Sequence, residues 1–347
     1  MAELKEELIN LAIEKGATRA RVTTKERMAG PPSADATYVL PEARSILAYF
    51  VALDVSFVPD YFGKVTRQPF RYVMYDTYQL IGEIGREVAA YLNSLGYKAF
   101  SPSPNAVYRP EGRSRQFYAP DFSHRYAALA SGLATQGWSG NILAPGYWAA
   151  AFYGSVITDA ELEPDEPLDE ELCDKCKLCT LVCPGQFFGP RESQTVVLGG
   201  REYTCSKRRS YQRCAISCGG FAGLSKDGKW STWSTGTARF PDDDETLVEV
   251  TAEAVRDPAN AHVMTHIFPT VLHEDRGPGV LRRRLEDTNP TCCNCVLVCS
   301  GPKEWRQKLV KLLHSSGIVI WENEKEVVRN RDAEKSEALL AELKRGG

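Results

Sequence analysis

The stretch CDKCKLCTLVCPG, from Cys173 to Gly185, limits what this chain can fold into more than any other part of the sequence. Its cysteines follow the pattern C-x2-C-x2-C-x3-C-P, in which three thiolates bind one iron–sulfur cluster and the fourth binds a second one. The spacing therefore predicts that Cys173, Cys176 and Cys179 share one cluster, and that Cys183 reaches another.

A second cysteine group, CCNCVLVC, supplies partners for both clusters. Its spacing is Cys292-x2-Cys295-x3-Cys299, and Ser300 stands where the usual proline would follow. By the same pattern, Cys299 completes the first cluster, while Cys292 and Cys295 join Cys183 in the second.

The second cluster then needs one more ligand, and spacing alone leaves it open. The candidates are the other four cysteines of the chain, Cys205, Cys214, Cys218 and Cys293. Pairs with the spacing C-x2-C also occur in structural zinc sites. The x2, x2, x3 run followed by proline favours iron, so we predict two 4Fe-4S clusters.

The distribution of cysteines also indicates how the chain is organised. All eleven cysteines of this 347-residue chain lie between positions 173 and 299, directly after the acidic, proline-marked segment AELEPDEPLDEEL. We predict an α+β protein with an α/β domain over 1–165 and a bacterial-ferredoxin-like module over 166–310. The module would carry a long insertion, 196–290, and a helical extension would follow over 311–347.

Hydrophobic periodicity places the main elements of the N-terminal part. It predicts helices over 4–16, 72–95 and 124–134, with Gly96 ending the second of them. The apolar run SILAYFVAL, 45–53, predicts a buried strand.

Charge and composition exclude some classes of partner. The net charge is -3, so there is no basic footprint for nucleic acid. The N-terminus has no apolar region typical of an export signal, and no stretch approaches about 18 consecutive apolar residues. We therefore expect a cytoplasmic protein that acts on a small molecule, without membrane or nucleic acid, and receives electrons from a donor such as a ferredoxin or flavodoxin.

Several segments resemble a known family. FSHRYAALASGL and GWSGNILAPGYWAAAFYGSVITDAELEPDEPLDEELCDKCKLCTLVCP are similar to the epoxyqueuosine reductase family and the related reductive dehalogenases, and the resemblance covers roughly residues 1–300. It implies a nitroreductase-like N-terminal domain that binds base-off cobalamin and takes electrons from two 4Fe-4S clusters. The family segment GREY…RCA matches 200–203 and 213–215 here, which favours Cys214 as the open ligand.

The chain departs from the family in places. GLATQGWSGN carries two more residues than the usual family segment, so the cofactor pocket is expected to differ in shape. The chain has no HEAT-repeat tail and is not basic, and both facts argue against transfer RNA as the substrate.

The resemblance, together with residue chemistry, gives a set of candidate site residues. Reduction at a corrinoid needs a proton source near the substrate. The candidates for catalysis are Asp121, His124 and Tyr108, and those for cofactor binding are Arg125, Trp138, Asn141, Tyr153 and Ser155. The alternatives are structural: His124 could anchor a helix start with Ser123 as the N-cap, the loop at 108–115 could be solvated, and aromatic strand residues could belong to the core.

The leading hypothesis is a cobalamin-dependent reductase of a small molecule. An electron-transfer or activating protein without cobalamin, and a reductive dehalogenase, are the alternatives.

Overall fold

The computed structural model describes residues 2–104, 109, 120–267 and 289–345. The chain divides into two compact units, each assembled from separate segments. Unit 1 comprises Met1–Leu53, Met74–Lys175 and Ser193–Cys205; unit 2 comprises Asp54–Val73, Cys176–Glu192 and Ser206–Gly347. The domain bounds at 165 and 310 stay a prediction from the sequence.

Unit 1 is built on an antiparallel sheet of four strands, and its two central strands are almost wholly buried. In spatial order the strands are β1 (Arg19–Thr24), β2 (Ser45–Ala52), β6 (Ala151–Thr158) and β3 (Ala99–Phe100). β2 confirms the strand predicted at 45–53. The central pair is apolar on both faces because helices cover both sides of the sheet.

The first face of the sheet packs against two helices, α1 (Ala2–Glu14) and α3 (Gln68–Ser94). Its core includes Leu8, Leu47 and Ile81. These helices confirm the two long helical predictions, with ends that differ by a few residues. Past the end of α3, Gly96 has a φ of +90°, the left-handed conformation predicted for a helix-terminating glycine.

The opposite face packs against α4 (His124–Ala130), around a core that includes Ile46 and Phe50. α4 stops earlier than the predicted 134 because the chain turns at Gly132, where φ is +74°. A Cβ at that position would come 2.2 Å from the Glu166 carbonyl oxygen, so the turn requires glycine. A short hairpin follows, with β4 (Thr135–Gln136) paired to β5 (Ile142–Leu143).

Unit 2 contains short helices around the cysteine groups and a helical end. The unit also contains the first residues of α3. Its other helices, in chain order, are α2 (Val58–Phe62), α5 (Leu178–Leu181), α6 (Gln212–Cys218), α7 (Leu247–Arg256), α8 (Asn294–Leu297), α9 (Lys303–Ser315) and α10 (Ala333–Arg345). α6 and α7 enclose a small core with Ile216, Phe221 and Leu247. α9 packs against α10.

Two hairpins complete the described structure. β7 (Phe188–Leu198) pairs with β8 (Arg201–Arg208), and β9 (Ile318–Glu322) pairs with β10 (Lys325–Arg329). The first hairpin lies largely in the segment predicted as an insertion, 196–290. No helix among the described residues is both long and apolar enough to cross a membrane.

Candidate redox-cofactor site

The first cysteine motif forms a tight loop with two residues in the left-handed conformation. Lys175 has a φ of +52° and Lys177 a φ of +59°. Residues other than glycine rarely adopt this conformation, and those that do are concentrated at functional sites. The two left-handed positions turn the backbone between successive cysteines, before α5 begins at Leu178.

Within unit 2 the second cysteine group lies against the end of the first. α8 packs against α5, and Asn294 donates a hydrogen bond from Nδ2 to the carbonyl oxygen of Val182 at 3.1 Å. Asn294 stands between Cys292 and Cys295, and Val182 directly precedes Cys183. The contact therefore brings together the three cysteines that the spacing assigns to the second cluster.

A second contact joins the chain beyond Cys299 to the first motif. Arg306, buried in the first turns of α9, donates from Nη1 to the Cys176 sulfur at 3.1 Å. The segment that follows Cys299 thus lies beside Cys176. This is the approach that the spacing predicts if Cys299 completes the first cluster.

Cys214 of unit 2 lies within electrostatic range of four other thiols. Burial raises the pKa of Cys214 well above its usual range, and four neighbouring thiols raise it further; they are Cys295, Cys218, Cys292 and Cys183. Burial, together with Cys183, Cys295 and Cys218, also raises the pKa of Cys292. The group contains three spacing-assigned ligands and two of the four open candidates.

The same thiols are surrounded by protein atoms, yet their residues retain solvent-accessible surface. Burial raises the pKa of Cys183 to about 12 and that of Cys218 to about 11. By surface area, however, Cys214 is exposed and the other four are partly exposed.

This donor set fits an iron–sulfur cluster. Thiolates at this range repel one another, so these thiols ionise together only beside a positive centre. Iron supplies that charge, and thiolate sulfur is its usual ligand in such clusters. Among the described residues, no three His, Cys, Asp or Glu side chains are arranged to hold a single metal ion. Thiols influence one another's pKa over distances longer than a metal–sulfur bond. The raised pKa of Cys214 is therefore compatible with the lack of a single-ion site among the described residues.

The two remaining candidates have other neighbours. Cys205 belongs to unit 1, where its sulfur accepts a hydrogen bond from Gln194 Nε2 at 3.8 Å. Cys293 donates its backbone N–H to the hydroxyl of the buried Tyr61 at 3.3 Å. Among the described residues, the open position is therefore best matched by Cys214 and Cys218.

In unit 1, His124 is buried at the first position of α4. Ser123 is the N-cap, because its hydroxyl accepts from the Tyr126 backbone N–H at 3.4 Å. Neither ring nitrogen of His124 has a hydrogen-bond partner among the described residues. Burial lowers the pKa of His124 from 6.5 to about 4, so the ring is neutral at pH 7.

Two further buried polar groups lie on the same face of the sheet as α4. Tyr153 and Ser155 alternate along β6 on this face, and within the described chain neither hydroxyl has a hydrogen-bond partner. Burial raises the pKa of Tyr153, and the charge of Arg125 acts in the opposite direction. A buried polar group without a partner costs about 1–3 kcal/mol. These hydroxyls and the His124 ring are therefore available to bind a polar ligand.

The turn between β4 and β5 joins these residues to the first cysteine. Arg125 donates from Nη1 to the Gly140 carbonyl oxygen at 3.5 Å, and the buried Asn141 follows directly. In the same turn, the Trp138 backbone N–H donates to the Cys173 sulfur at 3.3 Å. The structure thus places the predicted cofactor residues on α4, on β6 and in one turn of unit 1. Of these residues, Trp138 contacts a predicted cluster ligand.

Asp121 precedes α4 and is fixed by an arginine. Burial raises the pKa of its half-buried carboxyl, and Arg109 opposes this effect. Arg109 stacks on the Tyr38 ring at 3.7 Å and donates to the Asp121 carbonyl oxygen at 3.2 Å. Tyr108, the third catalytic candidate, lies outside the described residues.

Two arginines that the sequence did not single out now have clear contacts. Arg306 donates to Cys176, as above. Arg213 is almost completely buried and donates to the Gly185 carbonyl oxygen and to Asp244. Arg213 stands beside Cys214 in a segment already matched to the family, whereas no local pattern marks Arg306.

Comparison with known proteins gave matches among solved structures only. No family model matches the chain, and no curated protein does. One similar structure is a catabolic reductive dehalogenase in complex with 3-bromo-4-hydroxybenzoic acid, at 18% identity and a TM-score of 0.46. That match covers 61% of this chain but only 29% of the dehalogenase.

Two further similar structures are epoxyqueuosine reductases. The enzyme from Bacillus subtilis is 19% identical with a TM-score of 0.41, over 72% of this chain and 65% of that one. Another was solved with an epoxyqueuosine-modified tRNA-Tyr stem loop; it is 17% identical over 99% of both chains, with a TM-score of 0.42. These neighbours are of the two kinds that the sequence segments resemble.

Proposed function

We propose that this protein is an iron–sulfur, cobalamin-dependent reductase of a small molecule, of the epoxyqueuosine reductase and reductive dehalogenase type. The observation that carries the proposal is the packing of the second cysteine motif against the first in unit 2, where Asn294 donates to the Val182 carbonyl oxygen. This contact brings the segment with Cys292 and Cys295 to the end of the motif that contains Cys183, as the spacing assigns for one cluster.

The proposed ligands follow the spacing. One 4Fe-4S cluster takes Cys173, Cys176, Cys179 and Cys299; the other takes Cys183, Cys214, Cys292 and Cys295. The contacts from Asn294 to Val182 and from Arg306 to Cys176 support this division.

A corrinoid would be held by residues of unit 1, namely Arg125, Trp138, Asn141, Tyr153 and Ser155. The support is that the Tyr153 and Ser155 hydroxyls are buried and, within the described residues, unsatisfied. When bound, the clusters would supply single electrons and the corrinoid a strongly reducing cobalt centre. The hydrogen bond between Trp138 and the Cys173 sulfur supports an electron path from the first cluster toward this site.

The polar residues near α4 suit proton handling. Asp121 has a raised pKa, so it holds a proton closer to neutral pH than an ordinary carboxyl does. His124 stays neutral at pH 7, so it offers one N–H donor and one acceptor to a bound molecule. Arg109 keeps Asp121 in place through its backbone carbonyl. We propose Asp121 as the proton donor and His124 as a group that orients the substrate.

Corrinoid binding tests the proposal directly. Anaerobically purified and reconstituted protein is titrated with cob(II)alamin, and the visible and EPR spectra are followed. We expect a base-off spectrum and stoichiometric binding. Tyr153→Phe, which loses only the hydroxyl, should bind more weakly. Tyr91→Phe is the matched control, because that hydroxyl bonds the exposed Glu7 on the other face.

The outcome also separates the alternatives. Clusters that form without any corrinoid binding would overturn the proposal in favour of an electron-transfer or activating protein. Halide release from organohalides would identify a dehalogenase. Binding of a transfer RNA stem loop would show that the substrate is RNA rather than a small molecule. A flavodoxin or ferredoxin is the proposed electron donor.

A further inference from the structure

The acidic segment AELEPDEPLDEEL, residues 160–172, leads directly into the first cysteine motif. Its residues form neither helix nor strand, so their backbone groups need partners elsewhere. A charged, proline-containing stretch of this kind is typical of a solvated linker. Within unit 1, however, the segment is attached to the folded chain at successive points along its length.

Asp165 attaches the middle of the segment to β1, which is an edge strand of the sheet. Its backbone N–H donates to the Val22 carbonyl oxygen at 2.9 Å, and its Oδ2 accepts from the Val22 N–H at 2.8 Å. Its Oδ1 accepts from Lys5 Nζ on α1 at 2.8 Å, and its carbonyl oxygen accepts from Arg27 Nη1 at 2.6 Å. Every polar group of Asp165 therefore has a partner.

The next residues pack against the turn that follows α4. A Cβ at Gly132 would lie 2.2 Å from the Glu166 carbonyl oxygen and 3.1 Å from the Leu168 nitrogen. Arg21 of β1 donates from Nη1 to the Gly132 carbonyl oxygen at 3.1 Å, which joins the same turn to the strand. The segment thus lies directly on the end of the helix that begins with His124.

Arg201, at the start of β8, holds the segment beyond this turn. It donates from Nη2 to the Leu168 carbonyl oxygen and pairs with the Asp169 carboxylate at 3.1 Å. The Asp169 side chain is 97% exposed, so the ion pair itself contributes little. The charged hydrogen bond to the backbone is the stronger attachment.

The end of the segment is paired with the hairpin of β4 and β5. The Leu172 N–H donates to the Thr135 hydroxyl of β4 at 3.3 Å. In the next residue, the Cys173 sulfur accepts from the Trp138 N–H at 3.3 Å. Two consecutive residues are therefore fixed to the hairpin whose turn carries two of the cofactor-binding candidates, Trp138 and Asn141.

We propose that residues 165–172 form a strap, and that Asp165 and Arg201 are positioning residues that hold Cys173 against the Trp138 turn. The strap is attached to α1, β1, the turn after α4 and the β4–β5 hairpin. Its effect on a cluster rests on the proposed function, because Cys173 must then be a ligand of the first cluster. Its attachment to unit 1 does not depend on any cluster.

Hydrogen exchange measured by mass spectrometry on anaerobically reconstituted protein tests the strap. Asp165→Asn removes the charge but keeps the shape of the side chain, and Arg201→Gln removes the charged donor to Leu168. In both variants the amides of 165–173 should exchange about tenfold faster, as expected for the loss of one charged hydrogen bond. The amides of α3 report on folding in each variant.

Arg44→Gln is the matched control. It breaks an exposed ion pair with Glu161, which belongs to the same acidic segment but precedes the strap. Exchange over 165–173 should stay at the wild-type rate in this variant.

An EPR redox titration of the same samples separates positioning from a purely structural role. The Trp138 N–H would stabilise the reduced form of the first cluster through the Cys173 sulfur, so a loosened strap should lower the potential of that cluster. The potential of the second cluster should stay unchanged, and Arg44→Gln should leave both potentials unchanged.

Wild-type exchange rates over 165–173 in both Asp165→Asn and Arg201→Gln would overturn the strap. Faster exchange with an unchanged potential of the first cluster would overturn the positioning role. Failure of the proposed function is seen separately, as wild-type protein that assembles no iron–sulfur cluster; hydrogen exchange still decides whether the strap exists.

Discussion

His124 illustrates how a single buried side chain can make stability depend on pH. Its pKa falls from 6.5 to about 4 on folding, because burial disfavours the charged ring. Between these values the unfolded chain binds a proton that the folded protein does not. Stability should therefore fall as the pH drops from 6.5 to 4, by about 3 kcal/mol from this residue.

Urea unfolding of corrinoid-free protein at several pH values checks this expectation. His124→Gln should lose the contribution, so the difference between wild type and variant should change across the window and be constant above pH 7. Ser123→Asn, which keeps a helix cap, should retain the wild-type slope. Parallel pH curves for wild type and His124→Gln would contradict a buried neutral histidine.

Arg306 is expected to tune a cluster potential. Its charged N–H donates to the Cys176 sulfur and would therefore stabilise the more negative, reduced form of the proposed first cluster. Arg306→Met should lower the reduction potential of that cluster by on the order of 60 mV, which is a tenfold change for one electron. Arg306→Lys should retain part of the effect. An anaerobic EPR redox titration measures it.

The second cluster serves as the internal reference for that titration, because its potential should stay unchanged. Arg329→Met, which removes an exposed arginine paired with Glu322, is the matched surface variant. Equal shifts in both clusters would contradict a local effect of Arg306.

At the scale of elements, the end of α3 gives a test of backbone conformation. Gly96 has a φ of +90°, and a Cβ there would meet nothing within 4 Å. Gly96→Ala should therefore destabilise unit 1 by about 1–2 kcal/mol through the left-handed backbone alone. Gly189→Ala is the matched control, since it also has open space and lacks a positive φ. Thermal unfolding measures both.

Equal melting temperatures for Gly96→Ala and the wild type would show that this backbone position is not held in the left-handed conformation in solution. A destabilised Gly189→Ala would show that space, rather than φ, governs both sites.

The sequence predicted most long elements but not all, and the reasons are physical. Periodic apolar residues revealed α1, α3 and β2, each of which packs one or both faces on a core. The segment 196–290 looked irregular, yet it contains β8 and the end of β7. A signal was present: Gly199 and Gly200, both with positive φ, separate two runs of alternating burial. A Gly-Gly pair of this kind is typical of a hairpin turn.

At the scale of the molecule, the sequence does not reveal how distant segments group. Asp54–Val73 belongs to unit 2, although it precedes most of unit 1 in the chain. The contact between Arg306 and Cys176 spans 130 positions. Composition and periodicity reveal neither the grouping of Asp54–Val73 with unit 2 nor the contact of Arg306 with Cys176, because both depend on long-range packing. The cysteine spacing is visible because the ligands of a cluster come largely from short loops.

Elemental analysis of anaerobically purified protein, reconstituted with iron, sulfide and cobalamin, tests the central claim most directly. We expect about eight iron atoms and one cobalt per chain, with no zinc. Zinc in place of iron, or about four iron atoms with no cobalt, would contradict it.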